Sequence, residues 1–89
     1  MAARVHYRAE IFEEDGTFVS LSPELNVSSF GDTPEDAANS LQEAVELFLE
    51  GCEDLGTLRD VLEESGFIQD GEEWQLRERI TESRTATLP

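Results

Sequence analysis

His6, Cys52, Trp74 and a large excess of carboxylates are the residues of this chain whose types could do chemistry. An imidazole titrates near neutrality, so His6 could act as a general base or a pH sensor. No Ser, Cys or second His stands in a pattern it could serve, which makes a solvated or interface histidine the simpler reading. Cys52 lies in EGCED. A reactive thiolate needs a cationic neighbour; the neighbours here are acidic, and a buried cysteine filling apolar space fits better. Trp74 reads as an anchor for a satellite core, with a binding hot spot as the alternative.

The carboxylates are the strongest compositional signal. The chain has 21 Asp plus Glu against 6 Lys plus Arg, for a formal net charge of −15, and it contains no Lys. Such a surface repels phosphate backbones, so direct nucleic-acid binding is disfavoured. It would steer a basic protein instead. Solubility alone is the competing explanation. Glu43, Glu46, Glu50, Glu53 and Asp54 form the acidic run of the long helix, with Leu47 among them. They either match a partner's charge or form a solvated helix face.

These residues need elements to position them. Residues 4–12 (RVHYRAEIF) alternate, with Val5, Tyr7, Ala9 and Ile11 on one face and His6, Arg8, Glu10 and Phe12 on the other. That is a strand pattern. TFVSLS alternates again after Glu14-Asp15-Gly16, which makes a hairpin. A two-residue Asp15-Gly16 loop sets an apolar face beside a polar one. A three-residue loop pairs Ile11 with Val19 and Ala9 with Leu21, giving one continuous apolar surface. The three-residue register is therefore expected. It makes Phe12 and Phe18 a cross-strand pair on the outer face. Such a pair suits a protein interface, with a second copy or a different protein as partner; an isolated or covered pair is the alternative.

Pro23 lacks an N–H and ends the second strand. Residues 26–30 suit a short third strand. Thr33-Pro34-Glu35-Asp36 then has the chemistry of a helix start, with Thr33 as N-cap and Pro34 in the first turn. Ala37, Ala38, Leu41, Ala44, Val45, Phe48 and Leu49 continue as an apolar stripe, and Leu47 sits at its flank. The helix ends within 51–55, before Gly56. A short helix over 58–65 follows, closed by Gly66. FIQDGEEWQL holds two short strands around Asp70-Gly71. SRTATL, within 81–88, alternates like an edge strand that could pair between chains. The fold class is α+β: a three-stranded antiparallel sheet packed on one amphipathic helix, in β-β-β-α order, then a short helix and C-terminal strands.

A chain of 89 residues predicts one domain. At this size burial is marginal, which favours a homo-oligomer, dimer or tetramer. The single cysteine cannot form an internal disulfide and suggests a reducing compartment. The N-terminus lacks the apolar core of a signal peptide, and no run is long enough to span a bilayer. A cytoplasmic protein without membrane contact is expected.

The ordered set Glu14-Asp15-Gly16, Phe18-Val19, Ser22-Pro23-Glu24-Leu25, Gly31-Asp32-Thr33-Pro34-Glu35 and the helix SLQEAVELFLE resembles the HicB-like antitoxin family. The resemblance covers residues 5–50. It implies a partial RNase H-like fold that binds and neutralises a small basic RNA-cleaving toxin of the HicA type. Many relatives carry a C-terminal operator-binding module. Residues 67–89 are too few and too acidic for one, and Asn26-Val27-Ser28 replaces the family's frequent Pro-Gly-Cys. A solitary homo-oligomeric module without a toxin is thus the second reading. An RNase H-like fold also invites a search for metal-binding carboxylates, and Glu10 with Asp32 is the pair that offers itself, as a third reading of metal-dependent nuclease. Two-metal chemistry needs ions about 4 Å apart, and Asp32 is better explained by the turn before the helix. No cofactor or metal is expected. The leading expectation is a non-enzymatic binding protein whose interface draws on Phe12, Phe18, Glu43, Glu46, Leu47 and Glu50.

Overall fold

The computed structural model describes residues 3–77 and 82–89. In chain order these form β1 (Arg4–His6), β2 (Glu10–Glu14), β3 (Thr17–Ser22), β4 (Val27–Gly31), α1 (Pro34–Leu55), α2 (Leu58–Glu64), β5 (Phe67–Asp70) and β6 (Glu73–Leu76). The α+β class holds, with α1 packed on the antiparallel sheet β2-β3-β4. A second sheet, ordered β1-β6-β5, stands beside it, and in it β1 runs parallel to β6.

The second sheet exists because the strand expected over 4–12 is broken. The β2–β3 pairing places Glu10 opposite Leu21, so continuing it would set Arg8 against Pro23. Proline offers no N–H to that ladder. Residues 7–9 leave strand geometry, and β1 pairs with β6 instead. Arg8 holds the bend: its guanidinium donates to Glu24 Oε2 at 2.9 Å and lies 3.2 Å from Glu10.

The hairpin corrects the expected register. Ile11 pairs with Ser20 and Phe12 with Val19, so Asp15 and Gly16 form a two-residue loop. Both have positive φ, 50° and 84°, as a type I′ turn requires, and Asp-Gly is among the best sequences for it. Turn chemistry therefore prevailed over the matching of apolar faces. The Phe12–Phe18 pair does not form. Phe18 stands opposite Glu13 and Gly31, and Phe12 lies on the other face of the sheet.

That register also inverts the face presented to α1. Val19 and Leu21 point away from the helix; Ser20 and Ser22 point towards it and are fully buried. The reason is how close the helix comes. Ser20 Oγ donates to the Ala37 carbonyl at 2.8 Å. A Cβ at Gly31 would lie 2.5 Å from the Ala37 amide nitrogen. Only small side chains fit beneath the first turns of α1.

The ends of α1 follow their sequence signals. Thr33 Oγ1 accepts from the Asp36 amide at 3.0 Å. Gly56, at φ 74°, closes α1 in the left-handed region, where glycine carries no steric cost. Thr57 makes no side-chain cap for α2; its hydroxyl donates to the Cys52 carbonyl at 3.3 Å. Leu41 and Val45 of α1 meet Leu25, Leu62, Phe67 and Trp74 in one core. Trp74 belongs to that main core, with the Arg59 guanidinium 5.7 Å over its ring. Cys52 is buried, as expected.

The C-terminal strands form around Gly71 as β5 and β6. Residues 82–89 carry no regular structure and lie exposed, so the strand expected within 81–88 is not seen; Thr81, where it would begin, lies outside the described residues. Among the described residues, no helix is long and apolar enough to cross a membrane.

Candidate functional site

Helix α1 is amphipathic over its whole length, so burying Leu41, Val45 and Cys52 forces the opposite side into solvent. Glu43, Glu46 and Glu50 are exposed there, and Leu47 stands among them with 69% of its surface accessible. The sequence-predicted acidic residues and Leu47 are thus brought together on one helix surface. Phe12 and Phe18 are not part of it.

The acidic side of α1 borders an open groove. One compartment, of about 420 Å³, is lined by Ala3 and Val5 on one wall and by Glu46, Leu49, Glu50, Glu53 and Leu58 on the other. A second, of about 520 Å³, extends it along Arg4, Val5, His6 and Tyr7, facing Gln42, Val45, Glu46 and Leu49. Ala3, Val5, Glu46 and Leu49 line both, so this is one continuous trough. Its floor is apolar and the α1 rim is acidic. The sequence puts Glu46 and Glu50 on the acidic side of α1 but gives no sign of the trough beside it, because nothing local signals that β1 leaves the first sheet.

Tyr7 marks the inner end of the trough. Its phenol pKa is raised, first by burial and then by the negative charge of Glu46. Both effects oppose the phenolate, the second because like charges repel. His6, exposed at the mouth of the trough, hydrogen-bonds the Glu73 carboxylate across the β1–β6 pair. That bond, above all, holds the Glu73 carboxyl below its ordinary pKa.

A second exposed surface is the sheet face turned away from α1. Phe12, Val19 and Phe30 are direct cross-strand neighbours there and make a row over all three strands. Phe12 is 49% exposed and Phe30 69%. Phe30 was not foreseen. The Asp-Gly turn was the signal for part of the row, since the two-residue register sets Phe12 opposite Val19; Phe30 joins it through the separate β3–β4 register.

The carboxylates Glu10 and Asp32 do not converge. The register sets Glu10 level with Leu21 and Ser28, two strands away from β4. Asp32 follows the far end of β4. Strand rise and spacing put their backbones about 16 Å apart, too far to share a pair of metal ions. Among the described residues, no three His, Cys, Asp or Glu side chains cluster to hold a metal.

The trough beside α1 and the aromatic row on the outer sheet face are thus two exposed surface features of the chain. Comparison of the chain with protein-family models, with curated proteins and with solved structures found no match.

Proposed function

We propose that this chain is a non-enzymatic binding protein of the HicB-like antitoxin kind, which holds and neutralises a small, basic, RNA-cleaving protein of the HicA type. The observation that carries the reading is the acidic rim of α1 beside a trough with Val5, Leu49 and Leu58 in its lining, in a chain of net charge −15. A basic surface would be drawn to that rim by long-range attraction and retained by apolar contact in the trough. The test is an RNA-cleavage assay with a HicA-type toxin. Stoichiometric addition of the chain is expected to stop cleavage, and the triple variant Glu46→Gln/Glu50→Gln/Glu53→Gln is expected to protect less well. Full cleavage in the presence of excess chain would sink the proposal.

The aromatic row favours a second reading, a solitary homo-oligomeric module with no toxin. A contiguous apolar strip on a small sheet invites a second copy. Sedimentation of Phe12→Ser/Phe30→Ser separates the possibilities. An assembly that dissociates supports self-association through this face, and one that is unchanged rules the face out.

A further inference from the structure

Among the described residues, β1 is an edge strand, with β6 as its one partner in the sheet. The Arg4 amide donates to Glu72 across that pair at 2.9 Å, so backbone groups of Arg4 and His6 face β6. Alternation then turns the Val5 N–H and C=O to the outer edge. The trough is consistent with this. Arg4, Val5, His6 and Tyr7 line it in unbroken succession, although successive side chains of a strand point to opposite faces. A run of that kind means that the strand presents its edge, and so its backbone, to the opening.

The facing wall has a matching repeat. Tyr7 and His6 lie towards Gln42, and Ala3 lies towards Glu53 and Leu58, so β1 runs antiparallel along α1. Glu46 and Glu50 are one helical step of four residues apart, about 6 Å along the axis. Side chains two apart on a strand are about 6.6 Å apart. An inserted strand with a basic residue at every second position would keep pace with these carboxylates. Its methylene stems would lie on Leu49 and Leu58 while the charged heads reach the rim.

We propose that the outer edge of β1 accepts one extended strand of a basic partner protein, laid in the trough with alternate Lys or Arg side chains over Glu46, Glu50 and Glu53, a proposal that rests on the basic-partner reading above. The strand joins by backbone hydrogen bonds to Val5, which gives affinity, while the acidic repeat selects charge and register. A second copy of this chain is the weaker candidate, because its exposed segment 82–89 offers one Arg against one Glu and two bodies of charge −15 repel.

The probe is a capped synthetic peptide of alternating Lys and Val, about nine residues long, enough to span the edge. It is titrated against the full chain at low salt, beside two versions N-methylated at alternate amides in opposite phases. Methylation in the phase that faces β1 is expected to weaken binding roughly tenfold, through the lost hydrogen bond to the Val5 carbonyl and the bulk of methyls set against the edge, and the other phase to have little effect. Val5→Pro should weaken binding likewise. Of the strand's hydrogen-bonding groups, proline removes only the outward N–H, alongside the Val5 side chain's contact with the core, so protection of the Arg4 and His6 amides from hydrogen exchange should persist. Equal binding by both methylated peptides would overturn strand addition and leave the basic-partner reading standing. Failure of the peptide where a HicA-type toxin still binds would do the same. Failure of both peptide and toxin would remove the basic-partner reading as well. If sedimentation shows a dimer that Val5→Pro dissociates, the occupant is a second copy and the proposal is wrong.

Discussion

Tyr7 reports most directly on the trough, because it is the chain's single tyrosine. Burial and the Glu46 carboxylate both raise its pKa above the usual value. A raised value means that the folded chain favours the neutral phenol. The associated stability is complete below the unfolded value of about 10 and fades as pH rises through the folded one. Ultraviolet titration of the phenolate should therefore show a midpoint above that of the unfolded chain. Glu46→Gln is expected to lower this midpoint without bringing it to the ordinary value, since burial, the larger cause, remains. An unchanged midpoint would mean that Glu46 does not lean over Tyr7, and the acidic rim would lose its inner end. Binding of a basic segment should move the midpoint in the same direction as the substitution. Much at this scale was legible in advance. Thr33 caps, Gly56 terminates, and Cys52 is buried, because each follows from near neighbours in sequence. Tyr7 was expected inside a strand, and it lies just beyond β1 where the chain leaves strand geometry. Its role depends on β6, nearly seventy residues away, and no local pattern carries that pairing.

At the scale of elements, the fit of α1 against β3 and β4 decides which face of the sheet is free. Gly31 is the tightest point, with backbone of the helix 2.5 Å from where a Cβ would stand. Gly31→Ala should destabilise the fold by about 2–3 kcal/mol, by overpacking against backbone that cannot move aside cheaply. Chemical denaturation measures this. A change below about 0.5 kcal/mol, the ordinary range for surface substitutions, would show that the helix does not sit so close. The same fit explains where sequence reasoning failed. Apolar alternation placed Val19 and Leu21 under the helix, but Ser20 and Ser22 are there. A pattern of hydrophobicity assumes that the core selects for apolar area. Here the core selects for small volume, because Ala37 approaches so closely. The Asp15-Gly16 turn carried the correct register, and the broader face pattern overrode it. The element types and the long helix were legible because their signals are local. The break in the first strand was not, because it arises from Pro23 standing opposite Arg8 on another strand.

For the whole molecule, a charge of −15 on 89 residues is the dominant long-range property. It disfavours close approach of a second copy and favours a basic partner. It also makes association sensitive to ionic strength, since the Debye length falls from about 30 Å at 0.01 M to about 8 Å at 0.15 M salt. The aromatic row of Phe12, Val19 and Phe30 carries no charge of its own, so self-association through it would respond to salt in the opposite sense, strengthening as repulsion is screened. Ionic strength thus separates the two surfaces in a single series. The most direct measurement is titration calorimetry of the chain with a HicA-type toxin over a range of salt concentrations, repeated with Glu46→Gln/Glu50→Gln/Glu53→Gln. Binding should be tight at low salt and weaken steadily as salt rises, and the triple variant should bind less well with a flatter salt dependence. No association at low salt, or an affinity indifferent to salt and to the loss of these carboxylates, would contradict the proposed function.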